Sequence, residues 1–78
     1  MRGTLTTPAP VSIDVRDMLC AQALAVVSDA LARVAVGASM EVRFNSADVQ
    51  RDLEIWARDR GHAARLQDSD RLMIQRGR

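Results

Sequence analysis

The chain has 78 residues, 47% of them apolar, and sets 11 arginines against 10 acidic residues for a formal charge of +1. That length suits one small domain, the apolar content is too high for a disordered charged tail, and no apolar run approaches the roughly 20 residues of a membrane span. The near-neutral balance argues against nucleic-acid binding, while the single cysteine, Cys20, and single histidine, His62, exclude an internal disulfide and a stand-alone structural zinc site.

Residues 1–10 carry a glycine, two prolines and three threonines, which predicts a flexible leader ahead of one domain over 11–78. They lack the apolar core of a signal peptide, so the expected compartment is the cytoplasm, where a thiol stays reduced. Val11, Ile13 and Val15 alternate with Ser12, Asp14 and Arg16, the period-two pattern of a half-buried strand. A short loop over 17–19 should follow.

A helix is expected from about residue 21 to 35. Leu24, Val27, Leu31 and Val34 form one stripe, the alanines favour helix, and Gly37 stands beyond the end. Met40, Val42 and Phe44 alternate into a second strand. Asn45 or Ser46 can cap a second helix, with Asp48 in its first turn and Val49, Leu53 and Trp56 as its apolar stripe. It should stop near Arg60, before Gly61. Glu54 and Arg58 have the favourable i,i+4 order for an ion pair. Residues 62–67 and 71–76 read as two short strands joined by the polar turn Asp68-Ser69-Asp70. Ala64, Leu66, Leu72 and Ile74 are the core-facing candidates. The order is β-α-β-α-β-β, an α/β two-layer sandwich in which two helices cover one face of a four-stranded mixed sheet. Asp14, Arg16, Glu41 and Arg43 belong on the other face.

The candidate chemistry lies at the first strand-to-helix junction, Asp14-Val15-Arg16-Asp17-Met18-Leu19-Cys20-Ala21-Gln22. A cysteine at a helix start meets free backbone N–H groups and the positive end of the helix dipole, which favour a thiolate. Arg16 would add to this if it folded back across the loop, whereas Asp14 and Asp17 would oppose it; alternatively, Asp14 and Arg16 form a local ion pair. The alternative is a buried cysteine filling space beside Leu24. His62 reads as a partly exposed residue bonded to neighbouring backbone, and a general-base role with Cys20 requires closeness. Trp56 reads as the large core residue of the second helix. Arg51, Arg58 and Arg60 form a solvated surface or a candidate docking surface. No phosphate-binding loop, dinucleotide fingerprint or paired-cysteine motif is present.

In order and spacing the chain resembles the TusA/SirA-like sulfur-carrier family. Asp14, Arg16 and Cys20 match its Asp-x-Arg-Gly-x-x-Cys-Pro-x-Pro signature. Gly37-Ala38-Ser39-Met40-Glu41-Val42 resembles its second-strand motif, Arg51-Asp52-Leu53 with Trp56 its second helix, and Gly61-His62 its third-strand entry. Asp17 replaces the signature glycine, Ala21 and Ala23 replace both prolines, and Asn45-Ser46-Ala47 stands where Thr-Asp-Pro is common. The resemblance implies a carrier that holds a persulfide on Cys20, with Asp14, Arg16, Ala21 and Gln22 tuning the sulfur site or recognising a partner. It implies a donor such as a cysteine desulfurase or rhodanese, an acceptor sulfurtransferase, and no cofactor or metal. The altered Cys-Ala-Gln-Ala stretch keeps a second reading open, a non-catalytic binding or regulatory module on the carrier fold. Alanine would also restore N–H groups at 21 and 23 that could point at the sulfur.

Overall fold

The computed structural model describes residues 11–78, so the leader expected over 1–10 lies outside the described residues. The elements are β1 (Val11–Asp14), α1 (Cys20–Leu31), β2 (Ser39–Arg43), α2 (Ala47–Asp59), β3 (Ala63–Asp68) and β4 (Arg71–Gln75). The strands form one sheet in the order β1-β2-β4-β3. β1 runs parallel to β2, and α1 supplies the crossover that a parallel pair requires. The other two pairings are antiparallel.

Register puts the alternating apolar residues on one face. Met40 lies beside Val11 and Ile74, and Val42 beside Ile13 and Leu72. Met40, Val42, Leu72 and Ile74 are wholly buried under Val27 and Leu31 of α1 and Leu53 and Ala57 of α2. The opposite face carries Asp14, Glu41 and Arg43, joined by Arg71 and Arg65 from β4 and β3. Arg71 pairs there with Glu41 at 3.3 Å and with Asp68. This is the expected α/β arrangement of a four-stranded mixed sheet with two helices.

Three local expectations change. α1 ends at Leu31, four residues early, because Arg33 N–H and Val34 N–H turn back to Ala30 O and Leu31 O in a tighter i→i−3 pattern. Arg76 Nη1 donates to the released carbonyls of Ala32 (3.2 Å) and Val34 (2.6 Å), which stabilises the early stop. Val34 is nonetheless buried, so the apolar stripe continues past the helix. Leu66 pairs with Leu72 in register but is 45% exposed, because β3 is an edge strand. Glu54 accepts from the Gln50 amide (3.5 Å), and the ion pair on α2 is Asp48–Arg51 at 2.9 Å.

α2 is closed at both ends by side chains and backbone that the sequence names. Ser46 Oγ accepts from Val49 N–H at its start. At its end Gly61 takes φ +82°, Gly61 N–H donates to Arg58 O (3.1 Å), and His62 N–H donates to Ala57 O (2.8 Å). That is the paired bonding of a Schellman motif. Its usual side-chain contact is made by Trp56 and His62, with ring centroids 5.5 Å apart. Trp56 is therefore only partly buried, at the margin of the core.

Candidate functional site at the start of the first helix

Cys20 is the first residue of α1, preceded by Leu19 in an extended conformation. Leucine has no side-chain acceptor for a cap. The start is fixed instead by Gln22, whose Oε1 accepts from Leu19 N–H at 3.1 Å, the glutamine half of a capping box. Ala23 N–H makes the first turn's bond to Leu19 O at 2.9 Å. It is thus unavailable to the sulfur, contrary to the expectation for that alanine. Ala21 N–H is among the groups that a helix start leaves without an intrahelical partner.

The loop ahead of the cysteine is held by two polar clasps. Arg16 grips Asp14 through Nε (3.0 Å) and Nη2 (2.7 Å), while Arg16 N–H donates to Asp14 Oδ1 (2.9 Å). The Arg16 guanidinium and backbone N–H hold the Asp14 carboxyl down at about 2. Arg16 is committed to Asp14 by this bidentate pair and does not fold across to the thiol. Asp17 occupies the left-handed region at φ +65°, where aspartate is tolerated better than most residues and glycine best. Asn45 secures it from both sides, with Asn45 Nδ2 donating to Asp17 Oδ1 (2.8 Å) and Asp17 N–H donating to Asn45 Oδ1 (2.9 Å). The two departures from the family pattern at 17 and 45 therefore complement each other.

Cys20 is half-buried, with the core behind it. Its thiol faces α2. Asp52 on α2 is the main influence on it: the nearby Asp52 carboxylate, with burial and the charge of Asp48, raises the thiol above its ordinary value, while Arg51 opposes them. The groups that set the sulfur's ionisation are thus on α2, not Asp14, Asp17 or Arg16, and the resting group is a thiol. Sequence reasoning missed Asp52. The available signal was the four-residue step from Asp48 to Asp52, which places both carboxylates on one helix face.

The remaining candidates are dispersed. Arg51 and Arg58 line a groove between α2 and β3, with Glu54, Ile55 and His62. Arg60 lines a different cavity, with Trp56, His62, Arg76 and Arg78. His62 belongs to the far end of both helices, beside Leu31 and Ala32. The twelve residues of α1 put that end about 16 Å from Cys20, too far for His62 to act as its base. His62 instead accepts from Gly77 N–H at Nδ1 (3.0 Å). Burial, then the charges of Arg76, Arg78 and Arg60, push its imidazole below its ordinary value. Among the described residues no His/Cys/Asp/Glu group is arranged to hold a metal, and no helix is long and apolar enough to cross a membrane.

No curated protein and no solved structure matches the chain. A family model, described as sulfurtransferase TusA, matches residues 11–74. The match runs from β1 to the penultimate residue of β4 and takes in both clasps, Cys20 and Asp52. The chain belongs to the TusA sulfurtransferase family.

Proposed function

We propose that the protein is a sulfur carrier that holds a persulfide on Cys20 and passes it between partner proteins. The observation that carries this reading is a single, half-exposed cysteine at the first residue of α1, inside the stretch that matches the family model. In loading, the Cys20 thiol gives up its proton, and its sulfur attacks the terminal sulfur of a donor persulfide. The donor's S–S bond breaks, the donor leaves as a thiolate, and a new S–S bond remains on Cys20. Attack by an acceptor thiolate on that terminal sulfur returns Cys20 to the thiolate. No net oxidation occurs, and no cofactor enters.

Asp52 gives this carrier a particular character. A thiol held protonated by burial and neighbouring carboxylates is a poor nucleophile at neutral pH. The free carrier therefore resists adventitious alkylation and oxidation, and a donor must supply positive charge or displace Asp52 to activate it. Gln22 and the Asp14–Arg16 clasp act by positioning the loop that presents Cys20, and a donor such as a cysteine desulfurase or rhodanese would dock against that end. Arg51 and Arg58 border the same helix and suit a partner's carboxylates. The domain so defined, 11–78, would operate in the cytoplasm.

The test is intact-protein mass spectrometry after incubation with polysulfide and with a desulfurase plus cysteine. Wild type should gain about 32 Da, one sulfur, and lose it to an acceptor thiol. Cys20→Ser should gain nothing. A wild-type protein that stays unmodified with both donors would leave the second reading, a binding module on the carrier fold, in which the protonated Cys20 is only a packing residue.

A further inference from the structure

The end of the molecule opposite Cys20 holds a cavity of about 260 Å³ with a distinctive lining. Arg60 comes from the end of α2, and Arg76 and Arg78 from the segment after β4. His62 and Trp56 form one wall, and the Ser28 side of α1 forms another. No carboxylate side chain contributes to the lining. Among the described residues, none of the three arginines has an Asp or Glu partner, as is also true of Arg43, Arg58 and Arg65, and Arg76 Nε donates to Arg78 O.

Two features concentrate this charge. Gly77 crosses Gly61 so closely that a Cβ on Gly77 would meet Gly61 O at 1.9 Å. The contact brings the segment that carries Arg76 and Arg78 against Gly61 and His62, and the Gly77 N–H to His62 Nδ1 bond fixes the crossing. Because Nδ1 accepts, the neutral imidazole keeps its hydrogen on Nε2 and is a donor. The helix ends that would otherwise repel an anion are also covered. Arg76 takes the carbonyls of Ala32 and Val34, and those of Ala57 and Arg58 are bonded to His62 and Gly61 N–H. With these carbonyls bonded, the cavity is lined by the Arg60 and Arg78 guanidinium groups, which have no Asp or Glu partner, an imidazole donor and a serine hydroxyl. Clustered guanidinium forks beside neutral donors match a tetrahedral oxyanion.

We propose that this cavity is a phosphate-binding site, with Arg60 and Arg78 as its charged ligands, Ser28 and His62 as neutral donors, and Arg76 holding the frame. The phosphate is free or carried on a small ester; the volume admits either. The cavity lies at the far end of α1 from Cys20, and phosphate binding there needs no chemistry at the thiol.

Trp56 is the only tryptophan and lines the site, so its indole fluorescence and N–H resonance report occupancy. The experiment titrates the full chain with inorganic phosphate and, separately, with adenosine monophosphate, each against sodium chloride at matched ionic strength. A saturable change beyond chloride is expected. Response to both ligands, or to inorganic phosphate alone, supports a free-phosphate site, and response to the monophosphate alone supports an ester site. Arg60→Ala and Arg78→Ala are exposed changes that keep the fold, checked by circular dichroism. Each should weaken binding about tenfold, as expected for a lost charge-assisted hydrogen bond. No response beyond chloride, or wild-type affinity in both variants, overturns the proposal.

Discussion

Cys20 and Asp52 show how far one residue's environment departs from what its place in the chain suggests. The helix start favours a thiolate, yet Asp52 and burial favour the thiol. Asp52→Asn removes the carboxylate's charge while keeping a polar group of similar size. Alkylation of Cys20 by iodoacetamide should then be faster than in wild type at pH 7 to 8, with its pH profile displaced to lower pH. An unchanged profile would mean that Asp52 does not govern the thiol. Asp17 and Asn45 form a second pair that works only together. Asn45→Ala leaves Asp17 at φ +65° without either bond, and should cost about 1–3 kcal/mol by urea unfolding. In the Asp17→Gly background, where strain is relieved and the side-chain bond is already absent, the same change should cost less. The Asp14–Arg16 pairing was legible from their spacing. The Asp52 contact was not, because it joins two helices through tertiary packing, which no local pattern encodes.

The helices illustrate what periodicity conveys and what it leaves out. The stripe of Leu24, Val27, Leu31 and Val34 located α1, although Leu24 is only partly buried and Ala23 is wholly buried, and Ser46 and Gly61 marked α2 at both ends. The early end of α1 was hidden, because the group that captures its carbonyls, Arg76, is more than forty positions away. At the other end, Ala21 and Ala23 differ although both stand where the family has proline. Ala21 N–H needs no helical partner, so Ala21→Pro should be neutral or stabilise by about 0.4–1 kcal/mol. Ala23 N–H holds Leu19 O, so Ala23→Pro should destabilise and shift the helix start, read as weaker hydrogen-exchange protection of the Leu24 and Ala25 amides, whose i→i−4 acceptors are Cys20 and Ala21. Gly61→Ala should cost about 1–2 kcal/mol for the left-handed backbone alone. It should also displace Arg78, whose Nε would lie 2.7 Å from the new Cβ.

For the molecule as a whole, the core rests on a few large side chains at the centre of the sheet. Leu72→Ala, at a wholly buried position, should lower stability by about 2–5 kcal/mol, while the same change at the exposed edge residue Leu66 should be close to neutral. The alternation of the central strands made this core readable; Leu66 misled because the pattern in an edge strand does not reveal how far the helices reach. Stability should also depend on pH in two windows. The unfolded His62 binds its proton near its ordinary 6.5 and the folded one only at lower pH. The unfolded state therefore holds more protons, and stability falls as pH drops through 6.5. His62→Gln should flatten that slope in urea midpoints measured against pH. Asp14 works lower down. Its contribution is complete above the unfolded value of 3.8 and is lost as pH falls toward about 2. The length of α1 separates the acidic surroundings of the sulfur from the arginine-lined cavity by about 16 Å, about twice the screening distance of physiological salt, about 8 Å. The two ends are thus insulated from each other. Neutralising the arginines should leave the rate of Cys20 alkylation unaltered at physiological ionic strength, and the sulfur would report only on what approaches its own end of the helix.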